Sequence, residues 1–420
     1  MSSGTLYIRD SRTNTQYQIP VKRNAVRATD LKRIKASPIG TDPADQVANG
    51  LRVHDPGLQN TTVMENDIIF SGHAESRVLF RGYSPQQLWN SDFEDMLHLL
   101  VWRSYPTEAE KKELSRRLAN SMIAVPDSVK HAIQVFPRTT PSLPMVLAGL
   151  STYLGSLPDS IPASTRADLY PSSSENIDNA IIRTIAGYAV VFGLVSSHRT
   201  GVRFIPPSPD MSYCENLLTM AGLVDASTGR PDPVTLTCFR RFGMGNSDHG
   251  LAASTFSALV TGSSLADPIS CMIAAVTSAY GPLHFAATET VQRTLRDIGT
   301  VENVPTFIDK IKRSKSKLFG FGHRMYKGID PRVRMIHSIV KDLTPASDQL
   351  MIAERLEELT SRDEYFQKKG LYPNGDLYGN LVFTGLGFEP ETIPAAMLTQ
   401  RIAGIMAHWR EYICECALGV

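Results

Sequence analysis

The chain has 420 residues, 42% of them hydrophobic, enough for a large core in two or three domains or in one large domain with a smaller partner. Its 43 basic and 42 acidic residues give a formal net charge of +1, which argues against a nucleic-acid groove, a polybasic membrane patch or an acidic tail. An anionic ligand would have to be gripped locally. The cysteines, Cys214, Cys238, Cys271, Cys414 and Cys416, are scattered and form no Cys-x-x-Cys, which speaks against a disulfide scaffold or a zinc ribbon and for a reducing compartment.

The N-terminus lacks an apolar signal core, and Asp10 comes too early for a basic transit peptide, so a cytoplasmic location is expected. Strand signals are confined to residues 4–20 and 62–81, in runs such as Gln16-Tyr17-Gln18-Ile19 and Val78-Leu79-Phe80. Ser84-Pro85-Gln86-Gln87 combines an N-cap, a proline at the first helical position and a capping-box glutamine. It predicts a helix carrying Trp89, Phe93, Met96, Leu97 and Leu100 at helical spacing. Thr107 with Glu110 opens the next helix, and helical patterns continue over 125–136, 144–155 and 176–198. The apolar run Ala180–Val195 is short for a membrane span, carries Arg183, and reads as a buried helix. Residues 251–280 are rich in Ala, Ser, Thr and Gly, as closely packed helices are, with a break at Asp267-Pro268. Further helices are predicted over 286–297, 303–313, 331–341, 346–359 and 394–416, the last with Leu398, Ile402, Ile405 and Trp409 along one face. The expected fold is mainly α, with a small N-terminal β element.

Four stretches concentrate residues able to do chemistry. Ser247-Asp248-His249-Gly250 is a turn entering the small-residue helices; a lone histidine there is more often a cap than a ligand. In Gly281-Pro282-Leu283-His284, a turn places His284 at the positive end of a helix, which disfavours the imidazolium and keeps the ring a neutral donor of one hydrogen bond. From Phe319 to Arg332, Gly320, Phe321 and Gly322 form a bend that allows close backbone approach, followed by His323 and, after an Asp-Pro turn, Arg332. Pro373-Asn374-Gly375-Asp376 is a turn carrying a carboxylate, which by itself reads as an Asx turn. No pair of histidines has metal-ligand spacing, so no metal is expected. A Ser-His-Asp hydrolase lacks its Gly-x-Ser-x-Gly elbow, and the Gly243-Met244-Gly245 and Gly320-Phe321-Gly322 pairs lack the six-residue dinucleotide pattern.

Taken in this order, the four motifs resemble those of citrate synthases and their methylcitrate and alkylcitrate relatives. The likeness runs from Asp55-Pro56-Gly57-Leu58-Gln59-Asn60-Thr61 and Phe80-Arg81-Gly82-Tyr83 to Ala407-His408-Trp409. The resemblance implies a citrate synthase-like two-domain helical fold in a homodimer, with a large domain of 1–284 and 385–420 and a small domain of 285–384. It implies Asp376 as the base that deprotonates the carbon beside an acyl thioester, His284 as the neutral donor to the thioester oxygen, and His323 as the histidine polarising the keto group of oxaloacetate. It also implies oxaloacetate binding by His249, Arg332 and Arg401, and contact of the Gly320, Phe321, Gly322 backbone with coenzyme A, which would act as a co-substrate carrier with no further cofactor. Partners would be oxaloacetate and an acyl-CoA, without nucleic acid or membrane.

Two departures bear on specificity. After His284 the family commonly continues Gly-Gly-Ala-Asn, whereas this chain has Phe285-Ala286-Ala287-Thr288, and the Asp-His motif is followed by Gly250 in place of Glu. The family also continues past its Ala-His-Trp helix to an Arg-Pro pair reaching the partner subunit, for which the sequence to Val420 has no counterpart. That leaves a weaker carboxylate grip, a substitute arginine or a truncated form. The resulting expectation is condensation of an acyl thioester, longer than acetyl, with oxaloacetate, followed by thioester hydrolysis to an alkylcitrate. The alternatives are ordinary citrate or 2-methylcitrate synthase, or an impaired homologue that binds oxaloacetate or coenzyme A.

Overall fold

The computed structural model describes residues 3–36, 49–58, 60–72 and 77–417, with side chains to 414. Gln59 of the Asp55–Thr61 segment, His73–Ser76 of the second strand region, the Cys416 side chain and residues 418–420 lie outside that set. Packing divides the chain into Met1–Glu65 and Asn66–Val420. In the first unit, β1 (Gly4–Asp10) pairs antiparallel with β2 (Thr15–Val21) in the register Gly4↔Val21 to Asp10↔Thr15. Asp10 closes the turn by accepting from the Arg12 backbone N–H and guanidinium.

The second unit opens with the hairpin β3 (Ile69–Gly72) and β4 (Arg77–Phe80). It continues as α1 (Phe93–Trp102), α2 (Glu108–Ile123), α3 (Asp127–Gln134), α4 (Ser142–Gly155), α5 (Ser174–Thr200), α6 (Tyr213–Met220), α7 (Pro233–Asn246) and α8 (Ala253–Gly262). Then follow α9 (Pro268–Ala279), α10 (Ala286–Ile298), α11 (Val304–Ser314), α12 (Val333–Leu343), α13 (Asp348–Arg362), α14 (Glu364–Lys368), α15 (Gly375–Gly385) and α16 (Ile393–Ala417). The predicted helices are found to within a few residues, and the strands fall where expected.

One helix start differs. The Ser84–Gln87 box makes its reciprocal bonds, Gln87 Oε1 accepting from the Ser84 N–H and the Gln87 N–H donating to Ser84 Oγ. The turn nevertheless stops, because a second box, Asp92 with Asp95, starts α1. Asp92 also pairs with Lys111 of α2 and with Arg240 of α7, and these contacts set the entry angle. Trp89 therefore precedes α1 and does not lie on its face; Arg241 sits over its ring.

Two long helices form the centre. α5 is long and apolar enough to cross a membrane, yet 94% of its apolar window is buried inside the protein, as in a core helix. α16 packs on α1, α5, α7, α8 and α9. Leu398, Ile402, Ile405 and Trp409 are fully buried, as their spacing predicted, but so are Thr399, Gln400, Arg401 and His408 on other faces. A helix buried all round with polar residues in it needs internal partners for them. Within 285–384, α10 and α15 also pack on α16, and α12 and α15 on α7.

Close helix approach depends on small residues. A Cβ at Gly193 of α5 would lie 2.5 Å from Met220 Cβ of α6. Gly193→Ala should gain helix propensity, up to ~1 kcal/mol, but lose more to the clash, for a net destabilisation of about 1–3 kcal/mol. Urea unfolding measures this; wild-type stability in the variant would mean that α5 and α6 do not approach so closely.

Candidate active site

All the side chains singled out from the sequence lie in the second unit, most of them at helix ends. The turn after α7 carries His249. It is clamped to α16 by the Gly404 N–H donating to the Ser247 carbonyl at 3.0 Å. A Cβ at Gly404 would lie 2.4 Å from Asp248 Oδ1, so only glycine admits this contact. Asp248 is fully buried against His408, 3.3 Å away. Burial alone would raise its carboxyl, but the facing His408 and Arg401 outweigh that and hold it below the usual carboxylate range.

His249 Nε2 lies 3.1 Å from His323 Nε2. His323 Nδ1 accepts the N–H groups of Met325 and Tyr326, at 3.0 and 3.3 Å, so the ring carries its proton on Nε2 and donates it towards His249. His249 then carries its proton on Nδ1, a buried atom without a hydrogen-bond partner among the described residues. Burial, with Arg332, Arg401, His323 and His284 nearby, pushes His249 well below its ordinary value.

His284 follows the turn after α9, and its Nε2 accepts the Ser254 N–H at 3.2 Å and faces Ser254 Oγ at 2.9 Å. The expectation was that the N-terminus of the following helix, α10, holds this ring neutral. The helix end that the ring meets is that of α8, where Ser254 contributes a free first-turn N–H. A donor into Nε2 sets the tautomer with the proton on Nδ1. Burial, then Arg401, lowers this imidazole to about 4, so it is neutral at physiological pH. Phe285 stacks on His284 at 4.4 Å and lies under the Arg401 guanidinium at 5.1 Å.

Asp376, expected in a turn, is in the first turn of α15, whose N-cap Asn374 accepts the Asp376 N–H at 2.9 Å. The sequence reading missed this helix because its signal, a capping Asn before Gly375, also describes an Asx turn. Burial raises the Asp376 carboxyl; the Thr288 hydroxyl and Arg332 offset this only in part. The Gly320–Gly322 bend, with φ of +83° and +77°, packs beside it. The Gly322 N–H donates to Tyr372 O at 2.7 Å, the Asn374 N–H to Gly320 O at 2.9 Å, and the Asn374 amide to Gly322 O at 2.8 Å. These backbone groups, expected to face a ligand, are in part spent on holding the base's N-cap, and the Phe321 ring, 4% exposed, belongs to the core.

The two arginines differ. Arg332 forks onto the buried Asp330, Nε to Oδ1 at 3.0 Å and Nη2 to Oδ2 at 2.6 Å, so an internal carboxylate already holds one edge. Arg401, 2% exposed, donates to the Asn246 carbonyl at 2.6 Å and to its side-chain oxygen at 2.8 Å. It has no carboxylate within ion-pair distance among the described residues, and burial lowers it to about 10 despite Asp248. Asn246, Ser254, Thr288 and Asp330 were not among the predicted functional residues. Two of them had a signal: Thr288 as part of the departure after His284, and Asp330 in the Asp-Pro turn before Arg332.

Three imidazoles, two arginines and a carboxylate gathered among helix ends define a site for polarising carbonyl groups and holding anions. The sequence matches over residues 57–417 the family described as citrate synthase, C-terminal domain. It is 41% identical to alkylcitrate synthase phiJ of a fungal species over 98% of this chain and 90% of that protein. It is 42% identical to alkylcitrate synthase tstJ of Talaromyces stipitatus over 98% of this chain and 91% of that one. Among solved structures, citrate synthase from Thermotoga maritima aligns with a TM-score of 0.73 at 27% identity, covering 84% of this chain and 90% of that one. The ternary complex of carboxymethyl coenzyme A and oxaloacetate with the Thermoplasma acidophilum citrate synthase aligns with a TM-score of 0.76 at 25% identity, covering 85% and 92%. The chain belongs to the citrate synthase family.

The buried histidines make stability fall with acid. A histidine whose folded value is depressed is neutral in the fold and charges first in the unfolded chain, so its contribution is full above pH 6.5 and declines as pH falls towards 4. Asp376, raised above 3.8, acts in the opposite sense as pH rises above that value. Thermal melts of wild type and His284→Gln at pH 7.5 and 5 isolate the effect. The glutamine variant should lose less stability on acidification; an equal loss in both proteins would contradict a neutral, buried His284.

Proposed function

We propose that the protein condenses an acyl-CoA, with an acyl chain longer than acetyl, with oxaloacetate and hydrolyses the product thioester to an alkylcitrate. The observation that carries the reading is Arg401. A guanidinium buried in the core, tied to a backbone carbonyl and an amide oxygen and lacking an ion-pair partner among the described residues, is costly unless an anion joins it. It stands among imidazoles suited to polarising carbonyls. A dicarboxylate keto acid meets both requirements, since a guanidinium offers a planar fork to a carboxylate. Names of the most similar relatives quoted above support the alkylcitrate product, and the Thermoplasma complex supports the substrate pair.

In this mechanism Asp376 takes a proton from the carbon beside the thioester carbonyl. A carboxylate, ordinarily near pKa ~3.9, is a weak base for a carbon acid. Burial raises this one and improves it, but most of the barrier must be relieved where negative charge grows, on the thioester oxygen. His284, neutral and protonated on Nδ1, donates there. The enolate carbon then attacks the keto carbon of oxaloacetate while the Nε2–H of His323 hydrogen-bonds to the keto oxygen and polarises it; the proton that Asp376 removed and later gives up balances the one that this oxygen takes as it becomes a hydroxyl. His249 and Arg401 hold the carboxylates, joined by Arg332 through the edge that Asp330 leaves open. Water finally cleaves the thioester, giving a third carboxylate and the free thiol of coenzyme A. We take residues 285–384 as a small domain that closes over the substrates in a homodimer, and the Gly320–Gly322 bend as lying against the coenzyme.

Oxaloacetate with acetyl-, propionyl-, hexanoyl- or decanoyl-CoA tests this, with thiol release followed in parallel with mass detection of products. The longer donors should turn over best; preference for acetyl-CoA would defeat the chain-length reading, and no turnover with any donor would defeat the enzyme. Asp376→Asn and His284→Ala should each lower turnover by about 10²-fold or more while the protein stays folded.

A further inference from the structure

We propose that Thr288 is the positioning residue of the base: its hydroxyl donates to Asp376 Oδ1, 2.7 Å away, and thereby leaves Oδ2 as the oxygen that takes the substrate proton. The inference rests on the reading of Asp376 as the base.

Thr288 is the third residue of α10 and is fully buried. Its hydroxyl has one proton to give. Besides Asp376 it meets Met397 Sδ at 3.7 Å, and a thioether is a weak acceptor, so the proton goes to the carboxylate. A β-branched side chain in a helix has few χ1 choices, and α10 packs directly on α15, so the hydroxyl is held against its partner. Among the described residues it makes the one hydrogen bond to the Asp376 carboxylate. A carboxylate tied at one oxygen cannot spin, and its free oxygen keeps one direction. This is the orientation that proton abstraction needs.

The same bond favours the ionised form of a buried acid. Burial is the largest influence on Asp376 and raises it; Thr288 is next and lowers it, followed by Arg332 at the start of α12. Asp330 acts upward and Lys317, in the segment after α11, downward. Removing the hydroxyl takes away the largest influence that keeps the base ionised and at the same time frees its rotation.

Thr288→Val keeps the shape and removes the hydroxyl, whereas Thr288→Ser keeps it. Steady-state rates with oxaloacetate and the best acyl-CoA are measured across pH, and the Asp376 carboxyl is titrated by carbon-13 NMR, assigned with Asp376→Asn. Thr288→Val should lose about 10- to 100-fold in kcat with the KM for oxaloacetate changed less than about threefold. Its acid limb and carboxyl titration should both move to higher pH, and Thr288→Ser should stay within about threefold of wild type in kcat. An unmoved titration in Thr288→Val, or equal losses in Val and Ser with the wild-type pH profile, would overturn the proposal. The NMR titration needs no turnover. An inactive wild type would therefore count against the reaction, while an unmoved carboxyl would count against Thr288 alone.

Discussion

The site depends on a charged guanidinium kept inside the protein. Arg401 sits in α16, a helix buried on every side from Ile393 to Trp409, and bonds both the backbone and the side chain of Asn246 at the end of α7. That contact joins the core helix to the turn bearing Ser247, Asp248 and His249. The Gly404 N–H and His408, farther along α16, hold the same turn. Burial does most to keep His249 and His284 from charging, and the guanidinium field, little screened by water, adds to it, after Arg332 at His249. Positive charge and neutral imidazoles are thus aspects of one arrangement.

Helix ends do the local orienting. Ser254, in the first turn of α8, fixes the His284 tautomer; Asn374, capping α15, holds the backbone of Asp376; the N–H groups of Met325 and Tyr326 fix His323. Backbone N–H groups left unpaired at helix starts and bends are directional donors; Ser254 meets a side chain from a distant part of the chain, whereas Asn374 and His323 bond N–H groups a turn away in sequence. The bend at Gly320–Gly322 joins this scheme by bonding to Tyr372 and Asn374, so one loop sets His323 on one side and supports the base on the other. Its glycines are needed for the left-handed φ of the bend itself, whether or not a ligand comes close.

Much of this was legible from residues alone. Period and capping predicted most helices because buried faces and helix starts leave local marks, as in Leu398, Ile402, Ile405 and Trp409 of α16 or Thr107 with Glu110 at α2. The four motifs, in order, pointed to the family through resemblance, where no one of them did by spacing. Where local marks were ambiguous the reading failed: Ser84–Gln87 makes its box but no helix, since Asp92 starts α1 while also pairing with Lys111 and Arg240, and Asn374 caps a helix that looked like a turn.

Sequence by itself determined the helical class, the absence of charge bias and the histidines, arginines and aspartate to consider, because periodicity, composition and motif order are properties of the chain. Only the tertiary structure decided that Arg332 already grips Asp330 while Arg401 lacks such a partner among the described residues, that His284 answers to α8, and that Thr288 holds Asp376. Asp330 and Arg332 are near in sequence, but the burial that makes their pairing matter and the other relations arise only when helices pack, and a hydrogen bond or a desolvated charge exists only at that distance.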